Sequence, residues 1–164
     1  MRGGHQYAAD SNGKADQVEG KLFIPISAYS NHTYLKLYMC DPGLLRRVAN
    51  MPTAAVLDKS DNYREFKGAF AENYVYCELK RLYEENIFYW TAEGSGKAEV
   101  DFIVQDGEYI IPIEVKAGTA VHAHSLTQYC NRFSPEKSVL TSLDHDKHNI
   151  LPLYAFWNLK AWLG

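Results

Sequence analysis

The chain has 164 residues, 46% of them hydrophobic and 23% charged, which is typical of a globular domain with a substantial core. A formal net charge of −3 argues against a protein that coats nucleic acid electrostatically, although a local basic groove is compatible with that total. No stretch has the apolar length of a membrane span and the N-terminus lacks the apolar core of a signal peptide, so we expect a cytoplasmic protein without a membrane partner. The three cysteines are far apart and predict neither a disulfide framework nor a zinc site.

Residues 1–21 are rich in Gly, Asp, Asn and Lys and predict a flexible leader or tag remnant without a function of its own. The pair Gly13-Lys14 lacks the upstream glycine spacing of a phosphate-binding loop, so we expect this chain to bind no nucleotide. Residues 22–164 predict a single domain, with an N-terminal extension over 22–60 and a core over 61–164.

Two helices can be predicted with their packing. A short helix opens at Asp41-Pro42, an N-cap followed by proline at the first helical position, and its packed side would be Leu44, Leu45 and Val48. A longer helix over 63–86 carries an apolar stripe at steps of three and four residues. The other predicted elements are strands at 34–39, 87–90, 138–143 and 150–153, and helices at 122–133 and 156–163. This order predicts an α/β fold, a mixed central sheet flanked by helices on both faces.

The stretch 98–117 predicts a β-hairpin around Asp106-Gly107, because Asp-Gly is the preferred pair where both central residues need a positive φ. With Gln105 facing Glu108, side-chain alternation produces one apolar and one charged face. The apolar face consists of Ala98, Val100, Phe102, Val104, Tyr109, Ile111, Ile113, Val115 and Ala117. The charged face includes Lys97, Glu99, Asp101, Glu114 and Lys116. In this register Asp101 and Glu114 are diagonal neighbours, and Glu99 lies opposite Glu114.

The charged face has two interpretations. It could be the solvated side of an amphipathic hairpin, on which Lys97 and Lys116 offset the acids through weak surface pairs. Against this, like charges opposite each other in a sheet are unfavourable, and clustered carboxylates suit a hard divalent cation such as Mg²⁺ or Mn²⁺. Glu72 lies at the margin of the apolar stripe of the 63–86 helix, from which it could either reach the same face or remain a solvated flank.

The combination of Glu72 on a helix, Asp101 on one strand and Glu114-Val115-Lys116 on the next resembles the PD-(D/E)XK nuclease superfamily, which has the restriction-endonuclease-like fold. More narrowly, the sequence over about residues 22 to 160 is similar to the C-terminal nuclease-like domain of bacterial and archaeal AAA-type ATPases. The sequence segments that carry this resemblance begin at Tyr34, Asp41, Gly68, Ala98, Ile113 and Leu151. The ATPase module implied by the resemblance is absent from this chain, so we expect no activity that requires ATP bound by this polypeptide.

The resemblance implies a Mg²⁺-dependent or Mn²⁺-dependent endo- or exodeoxyribonuclease. Asp101, Glu114 and the carbonyl of Val115 would hold the metal, and Lys116 would orient or deprotonate the attacking water. Glu72 would support the metal through water, whereas the role of Glu99 stays open. The residues expected to contact DNA are Lys97, Gln128, Arg132 and Lys137.

A different class of function is also compatible with the sequence. In that alternative the nuclease-like fold no longer cuts and serves as an interaction or regulatory module of an AAA-type ATPase system. A homodimer formed through exposed aromatic surface would be compatible with either function.

Overall fold

The computed structural model describes residues 13–54, 63–83, 86–92, 98–118, 122–143 and 149–164. The strands are β1 (Lys14–Glu19), β2 (Asn31–Leu37), β3 (Ile87–Thr91), β4 (Glu99–Asp106), β5 (Tyr109–Lys116), β6 (Val139–Ser142) and β7 (Leu151–Pro152). The α-helices of these residues are α1 (Pro42–Val48), α2 (Arg64–Leu82), α3 (His124–Phe133) and α4 (Leu159–Leu163). Two 3-10 helices, Ile26–Tyr29 and Leu153–Asn158, complete the described elements.

The strands form one seven-stranded sheet in the order β2-β1-β3-β4-β5-β6-β7. The pairs β1–β2, β3–β4 and β4–β5 are antiparallel. The pairs β1–β3, β5–β6 and β6–β7 are parallel. The predicted mixed α/β sheet is therefore confirmed. In the described part of the chain, no helix combines the length and the apolar character that a membrane crossing requires.

Each face of the sheet has its own apolar cluster. On one face α2 packs through its apolar stripe, which includes Ala71, Val75 and Leu79, and α4 joins the same cluster. On the other face Trp90 is fully buried, and its ring meets the edge of the Tyr129 ring of α3 at 5.1 Å between centroids. The predicted helices on both faces of the sheet are thus present.

The prediction of a flexible leader over residues 1–21 is wrong in its second half, where Lys14–Glu19 form β1. This strand lies between β2 and β3, and Ala15 and Val18 are fully buried in it. Its sequence has little apolar alternation because two polar residues, Asp16 and Gln17, are also buried there. Tertiary context rather than intrinsic propensity therefore makes this segment a strand.

The short helix α1 begins as predicted, since Asp41 Oδ1 accepts a hydrogen bond from the amide of Leu44 at 2.9 Å. Its expected packed side is wrong for two of three residues, because Leu44 is 42% and Val48 67% exposed. The physical reason is the position of α1 beside α2 at the outer end of the sheet, where the core does not extend over the helix.

The remaining elements agree with prediction within a few residues. The strand expected at 34–39 begins earlier, at Asn31, and the helix expected over 63–86 ends at Leu82. The final helix is divided into a 3-10 segment, Leu153–Asn158, followed by α4. The buried residues of α3 are Leu126 and Tyr129.

The hairpin of β4 and β5 is confirmed, but its predicted register is wrong by two residues. The paired residues nearest the turn are Asp106 and Tyr109, so the loop is Gly107-Glu108 rather than Asp106-Gly107. Gly107 has φ of +61° at the first central position, which is the requirement of a type II′ turn. A shift of two residues keeps each side chain on its face.

A β-bulge changes the alternation further along β4. The register between β3 and β4 shifts between Phe88 and Trp90, so that two residues of β4 lie opposite one residue of β3. As a result Val100 belongs to the same apolar cluster as Ile103, whereas Phe102 belongs to the cluster on the opposite face. The single apolar face predicted for the hairpin is therefore wrong at its open end.

Candidate functional site

The acidic residues lie where β4 and β5 separate. The two strands pair from the turn as far as Phe102 with Ile113. Beyond that pair, Val100 continues the pairing with β3, whereas Glu114 pairs with β6. Asp101 is at the point of separation, and its Oδ2 accepts a hydrogen bond from the amide of Val115 at 2.8 Å. Asp101 and Glu114 are the residues that follow the last pair of β4 and β5, one on each strand. The predicted diagonal relation between them is wrong, and so is the predicted position of Glu99 opposite Glu114, since Glu99 pairs with Thr91 and Glu114 with Leu140.

Glu114 is a buried carboxylate with one unused oxygen. Its side chain is 4% exposed, and Oε1 is 2.6 Å from Nζ of Lys116. The other oxygen, Oε2, is buried without a hydrogen-bond partner among the described residues. Since buried carboxylate oxygens are normally satisfied, Oε2 has unused capacity to accept a proton donor or bind a cation.

Glu72 of α2 and Glu99 of β4 meet through Lys36 of β2. The Nζ atom of Lys36 is 2.5 Å from Oε1 of Glu99 and 3.9 Å from Oε2 of Glu72. The same ammonium lies over the ring of Tyr89, 5.0 Å from its centroid. Glu72 thus reaches the acidic cluster as expected.

Sequence reasoning did not assign a role to Lys36. The only local indication of a role for Lys36 is its position between two apolar residues, Leu35 and Leu37, in a predicted strand. Local sequence could not link this lysine to Glu99, since that contact depends on the arrangement of β2 relative to β4 in the sheet.

Burial and mutual repulsion make these carboxylates easier to protonate than in water. Burial, followed by the charge of Asp101, raises the pKa of Glu72 to about 7, with Lys36 opposing the shift. The same two causes raise the pKa of Glu114 to about 7, against the hydrogen bond from Lys116. Burial also raises the pKa of Asp101, although the Val115 amide opposes it. The two lysines, Lys36 and Lys116, therefore do not offset the effect of burial on the pKa values of these carboxyl groups.

A cleft of about 400 Å³ adjoins this cluster, with Lys36 and Glu72 on its wall. Tyr38 also lines it, and the Tyr38 ring stacks on that of Tyr76 at 4.4 Å between centroids. The Tyr38 hydroxyl has no hydrogen-bond partner in the described residues, and burial raises its pKa. The cleft provides space for a bound molecule next to the acidic residues.

The side chain of Asn73 joins α2 to the segment that follows β2, at the rim of this cleft. Its Oδ1 accepts from the amide of Met39 at 2.7 Å, and its Nδ2 donates to the carbonyl of Met39 at 3.1 Å. Asn73 is next to Glu72 in the sequence, and Met39 is three residues after Lys36. The two hydrogen bonds between Asn73 and Met39 therefore help to hold Lys36 near Glu72.

The residues predicted to contact DNA are dispersed. Gln128 and Arg132 are on the exposed side of α3, and the Arg132 guanidinium lies 5.1 Å from the Phe133 ring centroid. The N-terminal turn of α3 is next to the cluster, because Ser125 Oγ accepts from the Glu99 amide at 3.4 Å.

Lys137 is at the other end of the sheet from the acids. Its Nζ donates to the carbonyl of Leu163 at 2.9 Å and lies 4.5 Å from the ring centroid of Tyr109. Tyr109 and Lys116 are the two ends of β5, roughly 24 Å apart at about 3.4 Å per residue. Lys137 is therefore not brought to the site, and Lys97 lies outside the described residues.

The donor set suits a magnesium-type ion. Among the residues that the structure describes, no three Asp, Glu, His or Cys side chains converge into a group that could hold a metal. Mg²⁺ does not require such a group, since it is usually held by one or two carboxylates, water and substrate phosphates. Asp101 and Glu114 are the carboxylates that could hold such an ion, and Oε2 of Glu114 has no hydrogen-bond partner among the described residues.

The sequence was compared with curated proteins and with solved structures, and neither comparison gave a match. A family model matches residues 67–156, which contain Glu72, Asp101, Glu114 and Lys116 but not Lys36. This match covers more than half of the chain. The protein therefore belongs to the family described as "Domain of unknown function (DUF4143)".

Proposed function

We propose that this chain is a metal-dependent nuclease of the PD-(D/E)XK type, which hydrolyses phosphodiester bonds of DNA in the presence of Mg²⁺ or Mn²⁺. The observation that carries the proposal is the meeting of Asp101, Glu114 and Lys116 where β4 and β5 separate. A buried, unpartnered carboxylate oxygen at this point is difficult to explain if the hairpin face is only a solvated surface.

The order of the elements supports a restriction-endonuclease-like fold. The helix α2, which bears Glu72, precedes three antiparallel strands, β3, β4 and β5. The strand β6 then pairs in parallel with β5, after the connecting helix α3. This order of helix, three antiparallel strands, helix and parallel strand is the order expected of a restriction-endonuclease-like fold that carries the motif residues.

The residues have separable tasks in phosphodiester hydrolysis. Asp101, Glu114 and the Val115 carbonyl would hold Mg²⁺, which supplies charge neutralisation at the scissile phosphate when bound. The Lys116 ammonium, anchored on Glu114, orients the attacking water and stabilises negative charge that develops on the phosphate. Glu72, with its pKa of about 7, can accept a proton near neutral pH.

The test is cleavage of supercoiled plasmid and of single-stranded DNA by purified protein with Mg²⁺ or Mn²⁺. We expect wild type and Lys137→Ala to cut, because Lys137 is far from the acids, and Asp101→Ala and Lys116→Ala to lose at least 100-fold in rate, on the order of one electrostatic catalytic group. Equal cleavage by wild type, Asp101→Ala and Lys116→Ala would contradict the proposal, since it would indicate a contaminating nuclease.

A second candidate function is an inactive nuclease-like module that interacts with or regulates an AAA-type ATPase. It is favoured by Lys36, which already pairs with Glu72 and Glu99 and so supplies positive charge from within the chain. In this case wild type would neither cut DNA nor bind Mn²⁺, and would instead form a complex with an ATPase that size-exclusion chromatography detects.

A further inference from the structure

The lysine of β2 is the least expected member of the acidic cluster. Lys36 lies outside the part of the chain that matches the family model, yet its Nζ is 2.5 Å from Oε1 of Glu99. Its second carboxylate, Glu72, is 3.9 Å away. The two ion-pair partners of the Lys36 ammonium are both carboxylates, which is the arrangement of a counter-ion.

The formal charges at the site leave room for one divalent cation. Four carboxylates, those of Glu72, Glu99, Asp101 and Glu114, are close to two ammonium groups, those of Lys36 and Lys116. When all four carboxylates are ionised, four negative and two positive charges leave an excess of two negative charges. A divalent cation would neutralise this excess, and the presence of Lys36 weakens the attraction that the cation experiences.

Lys36 can also leave its position. Its side chain is 23% exposed and that of its closest partner, Glu99, is 43% exposed, so the ion pair borders solvent. A lysine ammonium is strongly hydrated and sits on a flexible four-carbon chain, so it can move from this ion pair into water.

We propose that Lys36 is an internal counter-ion that competes with the divalent cation for the acidic cluster, holding the carboxylates together without metal and lowering the affinity for metal. The inference rests on the metal site of the proposed function. Lys36 is therefore a positioning residue that acts through Glu72 and Glu99, and its removal has opposite effects on the metal-free and the metal-bound protein.

The test is a Mn²⁺ titration followed through the electron paramagnetic resonance signal of free Mn²⁺, with thermal unfolding measured in EDTA and in Mn²⁺. Lys36→Met is expected to bind Mn²⁺ at least 10-fold more tightly than wild type, to have a lower Tm in EDTA, and to show the larger rise in Tm on addition of Mn²⁺. Lys36→Gln, which retains a donor for Glu99, gives the same comparison if Lys36→Met does not fold.

Two controls separate charge from packing. Lys36→Arg keeps the positive charge and should bind Mn²⁺ with the wild-type affinity. Lys160→Met removes a lysine that also lies over a tyrosine ring, 4.7 Å from the Tyr83 centroid, and should leave Mn²⁺ affinity unchanged.

The outcomes distinguish this inference from the proposed function. If wild type binds Mn²⁺ and both neutral Lys36 variants bind it no more tightly, the counter-ion role is refuted while the metal site stands. Binding by the neutral variants alone supports the inference in its strongest form. If neither wild type nor any Lys36 variant binds Mn²⁺, the metal site is refuted and the inference with it.

Discussion

The amide of Val115 donates a hydrogen bond of 2.8 Å to the carboxylate of Asp101, at the position where β4 and β5 stop pairing. The side chain of Asp101 thus occupies the gap between two strands that have separated. One residue therefore has both a structural task and the task of metal ligand proposed above.

Two substitutions of Asp101 should separate these tasks. Asp101→Asn keeps an oxygen that accepts from Val115 and removes a partly buried charge, so its free energy of unfolding should equal or exceed that of wild type. Asp101→Ala leaves the amide without that acceptor and should be less stable than Asp101→Asn by about 1–3 kcal/mol. Denaturant unfolding in EDTA measures the difference, and both variants should lose Mn²⁺ binding. Equal stability of the two variants would show that the hydrogen bond contributes nothing.

The raised pKa values of Glu72 and Glu114 predict a stability that increases on acidification. Both are raised from 4.5 in the unfolded chain to about 7 in the folded protein, so the folded state holds more protons between these values. Their contribution is fully present below about pH 4.5 and is lost as the pH rises through about 7. In EDTA, the Glu72→Gln and Glu114→Gln double variant should therefore have a flatter profile of unfolding free energy from pH 8 to pH 5 than wild type.

The matched control for this profile is Glu108→Gln in the hairpin turn, where the carboxylate is exposed. Its profile should be parallel to that of wild type. A double variant whose profile is as steep as that of wild type would assign the pH dependence to other groups.

Asn73→Ala should show how much the attachment of α2 to the segment after β2 contributes to stability. The substitution leaves the amide of Met39 without its acceptor, at a cost of about 1–3 kcal/mol, whereas the carbonyl of Met39 keeps Cys77 Sγ as a donor at 3.4 Å. Urea unfolding should show this loss, whereas Asn131→Ala on the exposed side of α3 should change the free energy by less than about 0.5 kcal/mol. A loss no larger than that of Asn131→Ala would contradict the proposed role.

Gly107→Ala should destabilise the hairpin through the backbone alone. Gly107 has φ of +61°, and a Cβ added there would meet no atom within 4 Å, so no steric contact accompanies the conformational strain. The expected loss is about 1–2 kcal/mol by thermal unfolding. Mn²⁺ affinity should not change, because the turn is at the opposite end of β5 from Lys116. A variant as stable as wild type would mean that the turn can adopt another conformation.

Element types followed from local signals where those signals were strong. The apolar stripe with Val75 and Leu79 predicted α2, and the proline after Asp41 predicted the start of α1. The acidic residues of the hairpin were also recognisable, since a register error of two residues does not move a side chain to the other face.

The failures arise from interactions between distant segments. β1 contains the buried polar residues Asp16 and Gln17, whose burial depends on neighbouring strands and is not encoded in local hydrophobicity. The bulge that places the side chains of Val100 and Phe102 on opposite faces of the sheet depends on the pairing of β4 with β3. The contact of Lys36 with Glu99 links segments that are 63 positions apart in the numbering, which is beyond the range of sequence periodicity.

The separation of β4 and β5 beyond Phe102 and Ile113 has a consequence for engineering this protein. A sequence optimised only for stability would extend the ladder of hydrogen bonds between the two strands towards Glu99 and Lys116. Such a variant would melt at a higher temperature, but the Val115 amide would turn to a backbone carbonyl and Asp101 would be expelled from the gap. Thermostability and cation binding should therefore be inversely related among variants at these positions.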